Sequence, residues 1–163
     1  MEKALAEQVH NSLKESVLDT NWYAGEFSIT IDRSKAFAAL KSLKADFGFN
    51  YLADISTVDH YTDEQRFEVQ YNLFNLDKNQ RLRVKVFIEE DNPEVDSVVE
   101  IWKAANWHER EAYDMMGIRF KNHPDLRRMF MPEDFEYYPL RKEFPLIGIP
   151  GSISLPEREP RKP

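Results

Sequence analysis

The sequence predicts an α+β fold: a two-layer domain with a four-stranded mixed sheet and flanking helices, followed by an extended, proline-rich C-terminal tail. Three observations carry this. Apolar residues recur at helical spacing near the start and again over residues 34–48. Between residues 26 and 88 they instead alternate with polar ones, as in half-buried strands. Eight of the nine prolines fall after residue 118, where neither period survives and a long helix is forbidden.

In chain order, residues 2–18 place Leu5, Val9, Leu13 and Val17 at every fourth position, a short amphipathic helix. Glu26–Ile31 alternates, with Phe27, Ile29 and Ile31 on one side. Ser34 can cap a second helix whose face carries Phe37, Leu40, Leu43 and Phe47, closed by Gly48. Tyr51–Val58 offers Leu52 and Val58 to one face with Asp54 and Ser56 between, which leaves its register open. Arg66–Leu76 turns Phe67, Val69, Tyr71 and Leu73 inward, and Arg81–Ile88 does the same with Leu82, Val84, Val86 and Ile88. Short polar links join these last three into an antiparallel meander. The first strand reaches the second through a helix, a parallel right-handed crossover if the two are neighbours. Ser97 with Glu100, and Asn106 with Glu109, have capping-box spacing, and Gly117 ends the second of these helices. Arg110 and Asp114 stand at i,i+4 and can pair on its surface.

Charge divides the chain at the same place as proline. Residues 1–118 carry 13 Lys and Arg against 22 Asp and Glu, whereas residues 119–163 carry nine against seven. The expected domains are therefore 1–118, an α/β unit, and 119–163, an extended segment rich in arginine and aromatics. Disordered segments are poor in aromatics, so this one should bury them on its own domain or on a partner. An overall charge of −7 argues against a nucleic-acid partner. The absence of cysteine excludes disulfides and thiolate-ligated clusters in this chain. No apolar run approaches the roughly 20 residues that cross a bilayer, and the polar, acidic start resembles no secretory or transit peptide.

Catalytic and metal chemistry find little footing. His108, Glu111 and His123 form a conceivable metal set, but zinc wants three or four converging ligands and no second cluster joins them. Glu109 and Glu111, two apart on a helix, point to different faces and make a poor acid/base pair. There is no glycine-rich phosphate loop. Arg127, Arg128, Arg141 and Lys142 can clamp anions, but Asp125, Glu133, Asp134, Glu143 or a partner's acids are the favoured mates.

The run ANWHEREAYDMMGIRFKNHPDLRRMFMPEDFEYYPLRKEFPL resembles the 30 kDa (C) subunit family of the proton-pumping NADH:quinone oxidoreductases, respiratory complex I. Glu109–Ile118, His123–Arg128 and Pro139–Lys142 carry its motifs, and YLADISTVDHY, LRVKVFI and SVVEIWKAANW upstream also match. Met116 and the Glu143-Phe144 pair depart mildly from the pattern. The resemblance implies a subunit without flavin, cluster or nucleotide, held peripherally on the cytoplasmic side of the inner membrane and touching the membrane only through the complex. It implies a C-terminal extension wrapped on the large D (49 kDa) subunit, which with the B subunit encloses the quinone site. An end near Pro163 fits the separate form of the subunit, not a C–D fusion. By the resemblance, Glu109, Arg110, Glu111, Asp114, His123, Arg127, Arg128, Arg141 and Lys142 are partner-binding, and none is catalytic. The alternatives are the homologous subunit of a membrane-bound hydrogenase or ferredoxin-fed photosynthetic complex, a free adaptor, or a stand-alone enzyme using Glu109, Glu111 or His123.

Overall fold

The computed structural model describes residues 3–61 and 64–148. The stretch 149–163, including the last part of the expected tail, lies outside them. A mixed sheet runs in the order β1-β2-β5-β4-β3, from β1 (Val17–Tyr23), β2 (Glu26–Ile31), β3 (Tyr51–Asp59), β4 (Phe67–Asn75) and β5 (Gln80–Ile88). Helices α1 (Lys3–Ser12), α2 (Ala36–Phe47) and α3 (Ala105–Met116) supply the second layer. A two-stranded parallel ladder joins β6 (Glu94–Asp96) to β7 (Arg119–Lys121).

The α+β class is the one expected, with one strand more in the main sheet and the β6–β7 ladder besides. The first helix stops at Ser12 and Val17 opens β1 instead of ending a helix. Ala24 and Gly25, both at positive φ (50° and 82°), form the two-residue turn that folds β1 onto β2. Such a turn matches the twist of the strands it joins. The parallel neighbour of β2 is β5, not β3, so the crossover through α2 skips two positions in the sheet. A bulge between Leu52 and Asp54 resolves the open register of β3: it brings Leu52, Ile55 and Asp59 to the buried side and leaves Val58 half-exposed.

The inward rows Phe27/Ile29/Ile31, Phe67/Val69/Tyr71/Leu73 and Leu82/Val84/Val86/Ile88 form one core with Val9, Leu40, Leu43, Phe49 and Ala105. Gly48, at φ 74°, ends α2 as expected. Asp32, not Ser34, does the capping upstream, accepting from the Ser34 amide across a short 3-10 turn before α2. Residues 97–104 make two hydrogen-bonded turns rather than a helix, and Ser97 spends its hydroxyl on Glu109. The position expected as a domain boundary falls between α3 and β7. Phe120 on β7 is buried in the common core.

Candidate interaction surface

Three buried carboxylates lie beneath residues 123–144, and two of them, Asp114 and Asp59, bind that segment directly. The first is Glu109, expected to cap α3 from an exposed first turn. Instead the helix takes Ala104, not Asn106, as its N-cap, and Glu109 is fully buried. Its carboxyl accepts from Ser97 Oγ (2.6 Å) and the Val98 amide (2.7 Å). Burial outweighs these two donors and pushes its pKa up to about 7. The His123 ring lies close by, with Nε2 3.9 Å from Glu109. That nitrogen donates to Asn106 O, and Nδ1 accepts the Asp125 amide, so the ring is neutral. Burial holds the His123 pKa below its usual value.

The second is Asp114. One of its oxygens collects three successive amides, from Met129 (2.9 Å), Phe130 (2.6 Å) and Met131 (3.0 Å). The other takes Arg128 Nη1 at 2.7 Å. Burial would raise this carboxyl, but the amides of Phe130 and Met131 and the Arg128 guanidinium hold it below its ordinary value. The expected i,i+4 pair with Arg110 is therefore replaced by a pair with Arg128. Arg110 donates to the carbonyls of Arg127 and Arg128 and lies over the Trp107 ring.

The third is Asp59, at the end of β3. Arg66 meets it with Nε and Nη2, both at 2.9 Å, and the Lys142 amide adds a bond of 2.8 Å to the same carboxylate. The Arg66 bonds hold Asp59 well below the usual carboxylate range. Arg66 also pairs with Glu90 and Glu143. Neither Asp59 nor Arg66 figured among the expected site residues. Their signal was available: a charge at each facing end of two strands otherwise read as buried.

Arg128 and Arg141 are committed inside the chain. Arg128 donates to the Phe135 and Tyr137 carbonyls, and Arg141 Nε to Met116 O at 2.8 Å. Arg141 is sandwiched between Phe67 and Tyr138, 5.0 and 4.5 Å from their centroids. Arg141 and Tyr138 close over Gly117, at φ 77°, where an added Cβ would stand 2.7 Å from each. Arg127 is exposed and, among the described residues, pairs with Asp125; Glu111 and the Lys142 side chain face outward. His108 lies 3.5 Å from Asp54, apart from His123 and its partners.

With Arg128 and Arg141 turned inward, the segment turns apolar side chains outward beside its exposed charges Glu133, Asp134, Glu136 and Lys142. Phe135, Tyr137 and Phe144 form a mutual cluster with centroids 5.8–6.4 Å apart. Around it Phe130 (58%), Leu140 (57%), Leu146 (105%) and Ile147 (97%) are exposed. A hydrogen-bonded backbone carrying aromatic and aliphatic side chains into solvent has the chemistry of a docking surface.

Residues 29–149 match the model of the family described as respiratory-chain NADH dehydrogenase, 30 Kd subunit. The C subunit of NADH-quinone oxidoreductase from Geotalea uraniireducens is 39% identical over 95% of this chain and 90% of its own. Its counterpart from Citrifermentans bemidjiense is 41% identical over 90% and 87%. The solved structure of a trypsin-resistant fragment of Nqo5 superposes with a TM-score of 0.68 at 31% identity, covering 76% of this chain and 98% of that one. A chain of the archaeal membrane-bound sulfane sulfur reductase shares the fold, with a TM-score of 0.76 at 21% identity over 89% of this chain and 86% of that one.

Proposed function

The chain belongs to the respiratory-chain NADH dehydrogenase 30 Kd subunit family, and from that premise we propose that it is a non-catalytic, cofactor-free subunit of the peripheral arm of NADH-quinone oxidoreductase. Its task is to scaffold the large D subunit beside the B subunit near the quinone site, from the cytoplasmic side of the membrane. The observation that carries this is the outward face of residues 130–147: exposed Phe130, Tyr137, Leu140, Leu146 and Ile147 on a backbone pinned by Asp114 and Asp59. An apolar face of this kind in an otherwise acidic chain gains most by burial against another protein. No helix among the described residues is long and apolar enough to cross a membrane.

The test is purification from native membranes through a tag on this chain. NADH-quinone reductase activity and the D and B subunits should elute with it, while the isolated chain shows only aromatic ultraviolet absorption and oxidises no NADH. Elution alone, or a stoichiometric flavin or iron–sulfur spectrum in the isolated chain, would contradict the proposal.

A further inference from the structure

The edge strand β1 lies at the far end of the sheet from β3 and the carboxylates that pin the C-terminal segment. Among the described residues it pairs with β2 on one side only. Tyr23 and Glu26 flank the two-residue turn, so the ladder alternates from there: Tyr23 and Asn21 bond to β2, while Trp22 and Thr20 aim their N–H and C=O away from it. Natural proteins blunt such edges with lysine, proline or a covering loop. β1, reading VLDTNWY, carries neither lysine nor proline along its length, and its one bulge lies at the start, between Val17 and Asp19. It exposes Leu18 (63%), Trp22 (42%) and Tyr23 (80%).

Beside this edge is a groove of about 570 Å³ between α1 and the β1–β2 hairpin, lined by Ala6, His10, Thr20, Trp22 and Phe27, with Glu7 and Asn11 also facing it. Glu7 is its charged residue, and Asp19 is the charged residue of the strand. Among the described residues, the Nδ1 atom of His10 is buried without a hydrogen-bond partner.

We propose that β1 is a second docking surface, which receives an extended segment of another protein of the same enzyme complex by strand addition. The open N–H and C=O groups of Thr20 and Trp22 match an extended backbone, whose donors and acceptors fall in the same alternation. The groove calls for an apolar side chain on the face of that segment turned toward Trp22 and His10. Glu7 and Asp19 call for lysine or arginine flanking it. The surface rests on the proposal that the chain works inside a complex, but it is separate from the face at residues 130–147.

The experiment places a benzophenone amino acid at Tyr23 or Leu18 of the tagged chain, with a control at Asp77 in the β4–β5 turn, and irradiates native membranes. Mass spectrometry should find the Tyr23 and Leu18 probes joined to one extended, basic-flanked segment of another protein that elutes with the tag, and the Asp77 probe not joined to it. In parallel, Thr20→Pro removes an outward N–H without touching the bonds to β2, and Leu18→Lys places a charge on the edge. Both should leave the melting of the isolated chain near wild type and lower recovery of the complex several-fold. Wild-type recovery with both variants, or cross-links only to a second copy of this chain, would overturn the proposal. Failure of the wild-type chain to bring down any other protein of the complex would instead overturn the function proposed above.

Discussion

Arg128 Nη1 stands 2.7 Å from Asp114 Oδ1, and the same carboxylate gathers the amides of Met129, Phe130 and Met131. An arginine in a basic tail looks available to a partner's acids. Here it closes a loop of its own chain over the end of α3. Removing one member of a buried ion pair strands the other, at about 3–5 kcal/mol. Arg128→Ala and Asp114→Ala should each lower the melting temperature of the isolated chain, whereas Arg127→Ala, at an exposed pair worth about 0–1 kcal/mol, should leave it unchanged. Thermal unfolding of the three purified variants checks this.

Glu109 gives stability a measurable pH dependence. Its folded pKa, about 7, lies above the unfolded value of 4.5, so folding favours the protonated form. The penalty is absent below about pH 4.5, grows as pH rises toward 7 and is constant above, reaching on the order of 3 kcal/mol. Glu109→Gln should remove this slope. His123, lowered by burial, acts oppositely in a neighbouring window, since folding then favours its neutral form. The informative quantity is therefore the difference between wild type and Glu109→Gln from pH 5 to 8. A difference that stays flat across that range contradicts a carboxyl raised by burial.

Asp59 and Asp114 have the reverse sign. Both are held below their unfolded value of 3.8, so what they contribute is present above that pH and is lost as pH falls through their folded values. Asp59 also fixes the Lys142 amide across 83 positions of sequence. Asp59→Ala should speed hydrogen exchange at Lys142 while amides in β4 and β5 stay protected. Uniform protection across both would show that this carboxylate does not hold the segment.

The rows of β2, β4 and β5 were legible because each alternates cleanly, and Gly48 and Gly117 mark the helix ends that the backbone confirms at φ 74° and 77°. β1 was not legible: its residues are exposed on both sides, so no apolar period separates them from the end of α1. The β3 bulge shifts parity inside the strand, which a fixed two-residue period cannot follow. At the site, the motif residues lie together around α3 and the turns after it, but their roles depend on distant mates. Glu109 meets Ser97, Asp114 meets Arg128, and Arg141 meets Met116. Local spacing offered Asn106 and Arg110 as the nearer mates, and only tertiary packing excludes them.

In the proposed function the exposed apolar side chains of residues 130–147 bind the partner, while Arg128 and Arg141 behind them belong to the fold. One paired measurement tests it: thermal unfolding of the isolated chain and recovery of the tagged complex from membranes, for Phe130→Ser/Leu140→Ser beside Arg128→Ala. The double serine variant should melt near wild type and recover little complex, and Arg128→Ala should already melt lower in isolation. Full recovery of the complex with the double serine variant would contradict the claim.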